Sequence, residues 1–411
     1  MGNGLKYPIR RTILLLCLCI LGFLANAQKA VQLVKFVENN RWSGNPAMAV
    51  DNGLVYVLYT DPDSFKARIC KYDLHANTAE WSDHLFETVA SDDASHNDGA
   101  IAIDGEGYLH IWVGMHNHSM KYYRSEKPGD ISSFTNRSVE MPNADYGRTY
   151  PYATTASNGD VFMIARRTSS IHDERQDLYH WNLKNKNWEM HTIAAKPTDC
   201  AYMASLTPDQ LGNIHIAMVW SDFHIGGNLF QKGMYMRFDI AENKFYKSDG
   251  SVIDRLPVSY DSEDADLFYD NKKGWGTSAE IQTPRLIVDE ANNPVISFSQ
   301  SEDNGRTWSN FIGVRHEADW MTTKLVDGVH MYGRPPVSCT AGRINTYVTN
   351  SDKSVLSLVS LRDTGHVEEM VIDRGDSISI KFLIPYDSVT DLVISTNKLF
   401  KIDYSGSVIK Q

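Results

Sequence analysis

The chain has 411 residues, 42% hydrophobic and 22% charged, so a large buried core is feasible and wholesale disorder is excluded. Forty Lys and Arg against 51 Asp and Glu give a net charge of −11, which excludes a generally basic nucleic-acid-binding surface. The length fits two or three ordinary domains or one large all-β domain.

The N-terminus reads as an address. Lys6, Arg10 and Arg11 precede an apolar run of 13 residues, Thr12–Leu24, followed by the small-x-small site Ala25-Asn26-Ala27. This is the pattern of a cleaved secretory leader over residues 1–27. The run is too short for the ~20 residues of a spanning helix. The processed chain is expected to be secreted or periplasmic, monomeric, off the membrane and free of cofactor. It would keep three cysteines, Cys70, Cys200 and Cys339, too few and too widely spaced for a disulfide framework.

From residue 31 onward the chain reads as short strands. Val31–Phe36 is a lone early strand. Strand-like pairs around tight polar turns follow at residues 48–59, 101–113, 154–166, 206–220 and 286–299, with weaker copies at 343–362 and 392–402. A second series runs alongside: the aromatics Trp81, Phe134, Trp188, Phe245 and Trp308 each follow a polar turn, at steps of 53 to 63 residues. Seven copies at about 55 residues each, without long amphipathic helices, predict an all-β, seven-bladed β-propeller as one domain over residues 28–411, the early strand closing the ring. Ser301-Glu-Asp-Asn-Gly-Arg-Thr-Trp308 matches the Asp box, S-x-D-x-G-x-T-W, a turn on a blade rim that carries no chemistry.

The densest polar cluster lies between residues 92 and 167. His96 and His116 flank one hairpin, and Tyr150 and Arg166 flank the next, so each pair is expected side by side at one mouth of the propeller. Asp92 and Asp98 are candidates to orient the histidines, and His116-Asn117-His118 offers too few ligands for a metal. Arg167 points away from Arg166 along its strand. His110 and His215 occupy matching strand positions and read as repeat-related packing. Trp42, Trp112 and Trp220 are core residues that could instead stack on sugars. Two imidazoles, a phenol and a guanidinium suit a uronate. The guanidinium can neutralise the carboxylate, while the other groups move the C5 proton and the leaving-group proton.

Residues 45–308 resemble the BNR-repeat propellers that include the ulvan lyases and rhamnose–glucuronate lyases. SHNDGAIAIDGEGYLHIWVGMHN, KYYRSEKPGDISSF, TYP with ARR sixteen residues on, and the Asp box carry the resemblance. It implies a polysaccharide lyase acting on an anionic glycan, with Tyr150 the leading base or acid and His96 its partner, Arg166 on the carboxylate and His116 binding or orienting. Asn117, His224 and Asn228 are the expected substrate-binding residues; His224 stands near the place where many relatives carry a further Arg. A rhamnosidase-type glycoside hydrolase of the same fold and a non-catalytic glycan binder are the competing readings.

Overall fold

The computed structural model describes residues 28–38, 44–89, 93, 96–168, 174–197, 199–222, 230–271, 280–303, 305–317, 319–362 and 365–405. The leader expected over 1–27, together with Trp42, Asp92, His224 and Asn228, lies outside them. No α-helix occurs among the described residues, and none of their helices is long and apolar enough to cross a membrane.

Among the described residues the strands form six hydrogen-bonded sheets, three of four strands, two of five and one of ten. The ten-stranded sheet contains two four-stranded units joined by the Glu174–Cys200 pairing, so the arrangement is consistent with seven blades, numbered here in chain order. Their inner strands are Ala47–Asp51, Ala100–Ile103, Gly147–Thr155, Asp199–Pro208, Arg285–Val288, Val337–Ser338 and Ile380–Asp387. Each inner strand packs against the next, and the last packs against the first, so the ring closes around a central shaft. Lys29–Lys35 pairs antiparallel with Lys398–Asp403 and completes blade seven, so the two ends of the chain close the ring by backbone hydrogen bonds.

Each blade has neighbours on both faces, which explains why the second strands read as nearly unbroken apolar runs. Val161–Thr168 of blade three is buried over its first seven residues. The outer strand Val367–Arg374, wet on one side, alternates instead. Separate apolar clusters fill the seams. Trp112, Tyr122, Trp181 and Trp188 lie between blades two and three, and Phe162, Trp220, Phe238 and Phe245 between blades three and four. Trp112 and Trp220 are thus core residues with no face for a sugar.

Two details of the repeat differ from the sequence reading. Trp81, Phe134, Trp188 and Phe245 lie on fourth strands, whereas Trp308 sits in the turn between the second and third strands of blade five. The 63-residue step to Trp308 joins two different places in the blade. The copies at 343–362 and 392–402 likewise pair second with third strands, because the inner strand of blade six is only Val337–Ser338 and left no readable pattern. The Asp box itself is intact. Asp303 Oδ1 accepts the N–H groups of Arg306 and Thr307, and Gly305 takes φ 76°. Trp308 Nε1 donates to the Gly305 carbonyl at 3.0 Å. Cys70, Cys200 and Cys339 are free thiols.

Candidate active site

Local backbone features bring the four side chains together. The hairpin of blade two, Ala100–Ile103 with Leu109–Trp112, returns the chain so that His96 before it and His116 after it meet. The short strand His116–His118 then pairs directly with the inner strand of blade three, His116 opposite Thr149. Thr149 is also opposite Arg166 on the second strand, so His116, Tyr150 and Arg166 converge across three adjacent strands.

Tyr150 is the irregular point. The ladder skips between Thr149 and Tyr152, and Tyr150 adopts φ 56°. Left-handed backbone at a bulky residue carries a cost that neighbouring structure must hold in place. A bulge of this kind re-aims a side chain that regular pleating would direct elsewhere.

The His96 and His116 rings stack face to face, centroids 3.7 Å apart and planes within 7°. Both Nδ1 atoms reach Asp93, one to each carboxylate oxygen, at 2.5 Å. Burial alone would raise the Asp93 carboxyl, but the two imidazole hydrogen bonds hold it below the ordinary value. An ionised carboxylate requires protons on both Nδ1 atoms, which leaves Nε2 of each ring as the basic atom. His116 Nε2 has no hydrogen-bond partner among the described residues. The His116 imidazole is lowered from 6.5, by burial first, partly countered by Asp93 and reinforced by His96 and Arg166. The three donors Asp93, His96 and His116 also lie close enough to meet one ion. With the rings stacked in parallel, however, an ion in the plane of one imidazole lies out of the plane of the other. This geometry suits a shared hydrogen-bond acceptor better than chelation. His118 Nδ1 accepts the His116 backbone N–H at 3.1 Å.

Tyr150 lies 5.9 Å from the His96 ring, centroid to centroid, and its hydroxyl meets that of Tyr202 at 3.1 Å. Burial, with Tyr202 adding to it and Arg166 opposing, pushes the Tyr150 phenol well above 10. The Arg166 guanidinium, 4% exposed as a residue, lies 5.1 Å from the Tyr150 ring centre and 4.7 Å from that of Tyr202. It has no carboxylate partner among the described residues. Its Nη2 donates to Asn117 Oδ1 at 3.3 Å, and the same oxygen accepts from Thr149 and Thr168 hydroxyls. The Asn117 carbonyl therefore holds Arg166, leaving only the amide NH2 to face a ligand.

Sequence reasoning placed Asp98 beside the histidines, and the structure corrects this. Asp98 accepts from Arg334 Nη1 at 2.9 Å and from Asn45, on the shaft side of Tyr150. The orienting carboxylate is Asp93, hidden in the run of acids at 92–98. Tyr202, Arg285, Arg334 and Lys381 were also missed. They come from blades four to seven, where no motif marks them and only ring closure brings them to this mouth.

At the opposite end of the shaft is a cavity of about 700 Å3. Its titratable lining groups are Asp51, Asp104, Tyr152 and Arg285, and Asp104 is engaged by His110 and Arg124. It contains no acid–base pair of the kind gathered around Tyr150.

Among solved structures, the chain resembles an ulvan lyase of polysaccharide lyase family PL25, solved with -[GlcA(1-4)Rha3S]- bound. The TM-score is 0.73 at 17% identity, over 91% of this chain and 96% of that one. The polysaccharide lyase Uly1 matches with a TM-score of 0.61 at 13% identity, over 93% and 95%. YCF48 bound to a D1 peptide matches with a TM-score of 0.50 at 10% identity, over 92% and 97%. At these identities the likeness is one of fold, and the fold hosts unrelated tasks. No curated protein matches the sequence. Residues 54–327, from the second strand of blade one to the last strand of blade five, match the model of the BNR repeat-containing family, and the chain belongs to that family.

Proposed function

We propose that the protein is an exported polysaccharide lyase that cleaves an anionic, rhamnose- and uronate-containing glycan by β-elimination. One observation carries the reading: a carboxylate-oriented imidazole pair, a phenol and a carboxylate-free guanidinium converge around the strained Tyr150. The likeness to lyases that include one solved with a glucuronate–rhamnose sulfate chain points the same way.

The C5 proton of a hexuronate is poorly acidic until the adjacent carboxylate is neutralised. Arg166, held by Asn117 and lacking a carboxylate of its own, neutralises it and stabilises the negative charge that develops there. Nε2 of the histidine pair takes the C5 proton, and His96 is the ring nearer Tyr150. The C5–H electron pair becomes the C4–C5 double bond as the C4–O bond breaks. The departing oxygen takes the Tyr150 proton. A phenol raised above its usual range arrives protonated, which favours Tyr150 as the acid and the imidazoles as the base. Glycoside hydrolysis would call for two free carboxyl groups across the bond. Asp93 and Asp98, the carboxylates that contact His96, His116 and the residues around Tyr150, are both engaged.

The test is incubation with ulvan and with uronate-bearing arabinogalactan. An unsaturated uronate formed by general acid–base elimination absorbs near about 235 nm. New absorbance supports the reading. New reducing ends without absorbance would make the protein a hydrolase, and retention on the glycan with neither signal would make it a binder.

A further inference from the structure

The shaft gives a glycan no way in past Tyr150. The pit behind that ring holds about 30 Å3, room for water and none for a sugar ring. Arg334, in the connection from blade five to blade six, reaches Asp98, just before blade two, at 2.9 Å, so a salt bridge crosses the shaft entrance. A chain that brings a sugar to Arg166 therefore lies across the mouth, and the rim decides how it is held.

Two rim connections carry exposed aromatic rings. Tyr146 is 45% exposed and Tyr332 62%; Trp81, 41% and on the outermost strand of blade one, is the one other aromatic this exposed among the described residues. Tyr146 ends the connection from blade two to blade three. It precedes Gly147, which pairs with Thr168, and the Thr168 hydroxyl shares Asn117 Oδ1 with Arg166. Arg167, fixed by Asp177 at 3.2 Å, lies over the Tyr146 ring, 5.3 Å from its centre, and backs it. Tyr332 lies on the connection that carries Arg334. The Gly333 N–H donates to the His330 carbonyl at 3.0 Å, a tight turn with Met331 and Tyr332 at its tip. The turn is pinned on both sides, by the His330 N–H on the Thr349 carbonyl at 2.7 Å and by Arg334 on Asp98. The His330 ring meets the Tyr332 ring edge-on, 6.0 Å between centres. Neither tyrosine hydroxyl has a hydrogen-bond partner among the described residues. In a ring of seven blades the two connections are three blades apart, so the tyrosines stand on opposite sides of the mouth.

A single exposed tyrosine needs no explanation. Two on anchored connections, either side of one acid–base centre, call for one. A tyrosine offers an apolar ring face to the C–H groups of a sugar and a hydroxyl to its oxygens, with only two torsions to fix. We propose that Tyr146 and Tyr332 are stacking platforms for two sugar residues of one glycan chain, one on each side of the sugars held at Tyr150 and Arg166. The chain is gripped at both edges of the mouth while it is cut between them. The cut rests on the lyase reading; the platforms require only a glycan lying across the mouth. What they recognise is the pyranose ring, so they select for chain length and not for charge.

The experiment measures affinity for ulvan by gel electrophoresis in the presence of the polymer, on the processed full chain carrying Tyr150→Phe so that the polymer stays uncut. Tyr146→Ala and Tyr332→Ala should each weaken binding about fivefold, within the range of aromatic stacking. Tyr146→Phe and Tyr332→Phe keep the ring and should weaken it less than about twofold, and Trp81→Ala should leave it unchanged. Both tyrosines are exposed, so unfolding midpoints should not move. A disaccharide spanning only the cleaved bond should bind all of these proteins alike. Absent polymer binding, or binding unchanged in both alanine variants, overturns the platforms. So does loss confined to one tyrosine, equal loss in the phenylalanine variants, or equal loss on the disaccharide. With Tyr150 restored, the alanine variants should raise KM on the polymer about fivefold and leave kcat nearly unchanged. If the restored protein releases no unsaturated product while the alanine variants still lose the polymer, the lyase reading fails and the platforms stand.

Discussion

Blades two and four each bury a chain of Asp, His and Tyr, and the mouth of the shaft assembles the same three residue types to a different end. In blade two, His110 Nε2 meets Asp104 at 3.2 Å while Nδ1 accepts from the Tyr122 hydroxyl at 2.9 Å. In blade four, His215 Nε2 meets Asp209 at 3.1 Å and Nδ1 accepts from Tyr235 at 2.7 Å. Both rings are buried with both nitrogens spent. At the mouth the carboxylate takes Nδ1 instead, and Tyr150 stands beside the imidazole rings without consuming a nitrogen of His116. The nitrogen that the carboxylate occupies decides whether the outer tip of the ring is fastened or available. A buried, satisfied chain specifies packing; one open at Nε2 can move a proton.

The sharpest way to break this contrast is to remove one hydroxyl from each set. Tyr150→Phe should lower kcat about a thousandfold, within the 10²–10⁴ that general acid–base catalysis supplies, while glycan binding persists. Tyr122→Phe should leave kcat within about twofold but cost roughly 1–3 kcal/mol of stability, because buried His110 Nδ1 loses its donor. Elimination rates and urea unfolding on the same two variants measure both effects. An active Tyr150→Phe enzyme removes the phenol from the mechanism.

The carboxylates offer the next test. Asp93→Asn cannot fix both Nδ1–H tautomers, and kcat should fall about a hundredfold through lost general-base catalysis with little change in unfolding midpoint. Asp104→Asn strips a buried carboxylate that holds His110 and Arg124, and should destabilise by about 3–5 kcal/mol with near-normal turnover in the folded fraction. Equal loss of stability in the two would mean that Asp93 is another packing carboxylate.

The pH profile separates acid from base. The base must be a neutral imidazole, and the His116 value lies below 6.5, so kcat/KM should rise through that lower pH and then level off. The acid must be a protonated phenol, and Tyr150 lies well above 10, so no falling limb should appear below about pH 10. Below the imidazole value the rate should drop about tenfold per pH unit. A rate that instead climbs through pH 10 would exchange the two roles and make the phenolate the base.

The repeat was legible because turns and buried second strands recur with the same local chemistry. Asp104, Asp209 and Asp289 each accept backbone N–H groups in the turn after an inner strand. The inner strands of blades six and seven were not legible. Val337–Ser338 is too short to show alternation, and Ile380–Asp387 is broken by ladder shifts. In the site, His96 and His116 could be brought together because a hairpin returns the chain, and Arg166 could be put within one residue of Tyr150 because ladder register sets it opposite Thr149, while the bulge that aims Tyr150 left no sign in the sequence. Asp93 could not be singled out by spacing from Asp92, Asn97 and Asp98. Arg334 and Lys381 stand more than 230 residues from Asp98, and only closure of the ring makes them neighbours.

The two arginines extend the comparison to its smallest expected effect. Arg124 is a structural cation: it donates to the Asp104 carboxylate at 2.8 Å and lies over Tyr108, so its charge is already neutralised. Arg166 is held by a neutral oxygen and two phenol rings, which keeps its charge for a ligand. Asn117→Asp would give Arg166 the partner that Arg124 already has. The new carboxylate would compete with that of the substrate, and KM should rise about fivefold, about 1 kcal/mol, with kcat nearly unchanged. Asn117→Ser keeps a neutral oxygen and should shift KM less. A KM that falls in Asn117→Asp would show that Arg166 does not meet the substrate carboxylate, and would shift that task to the cations on the shaft side of Tyr150.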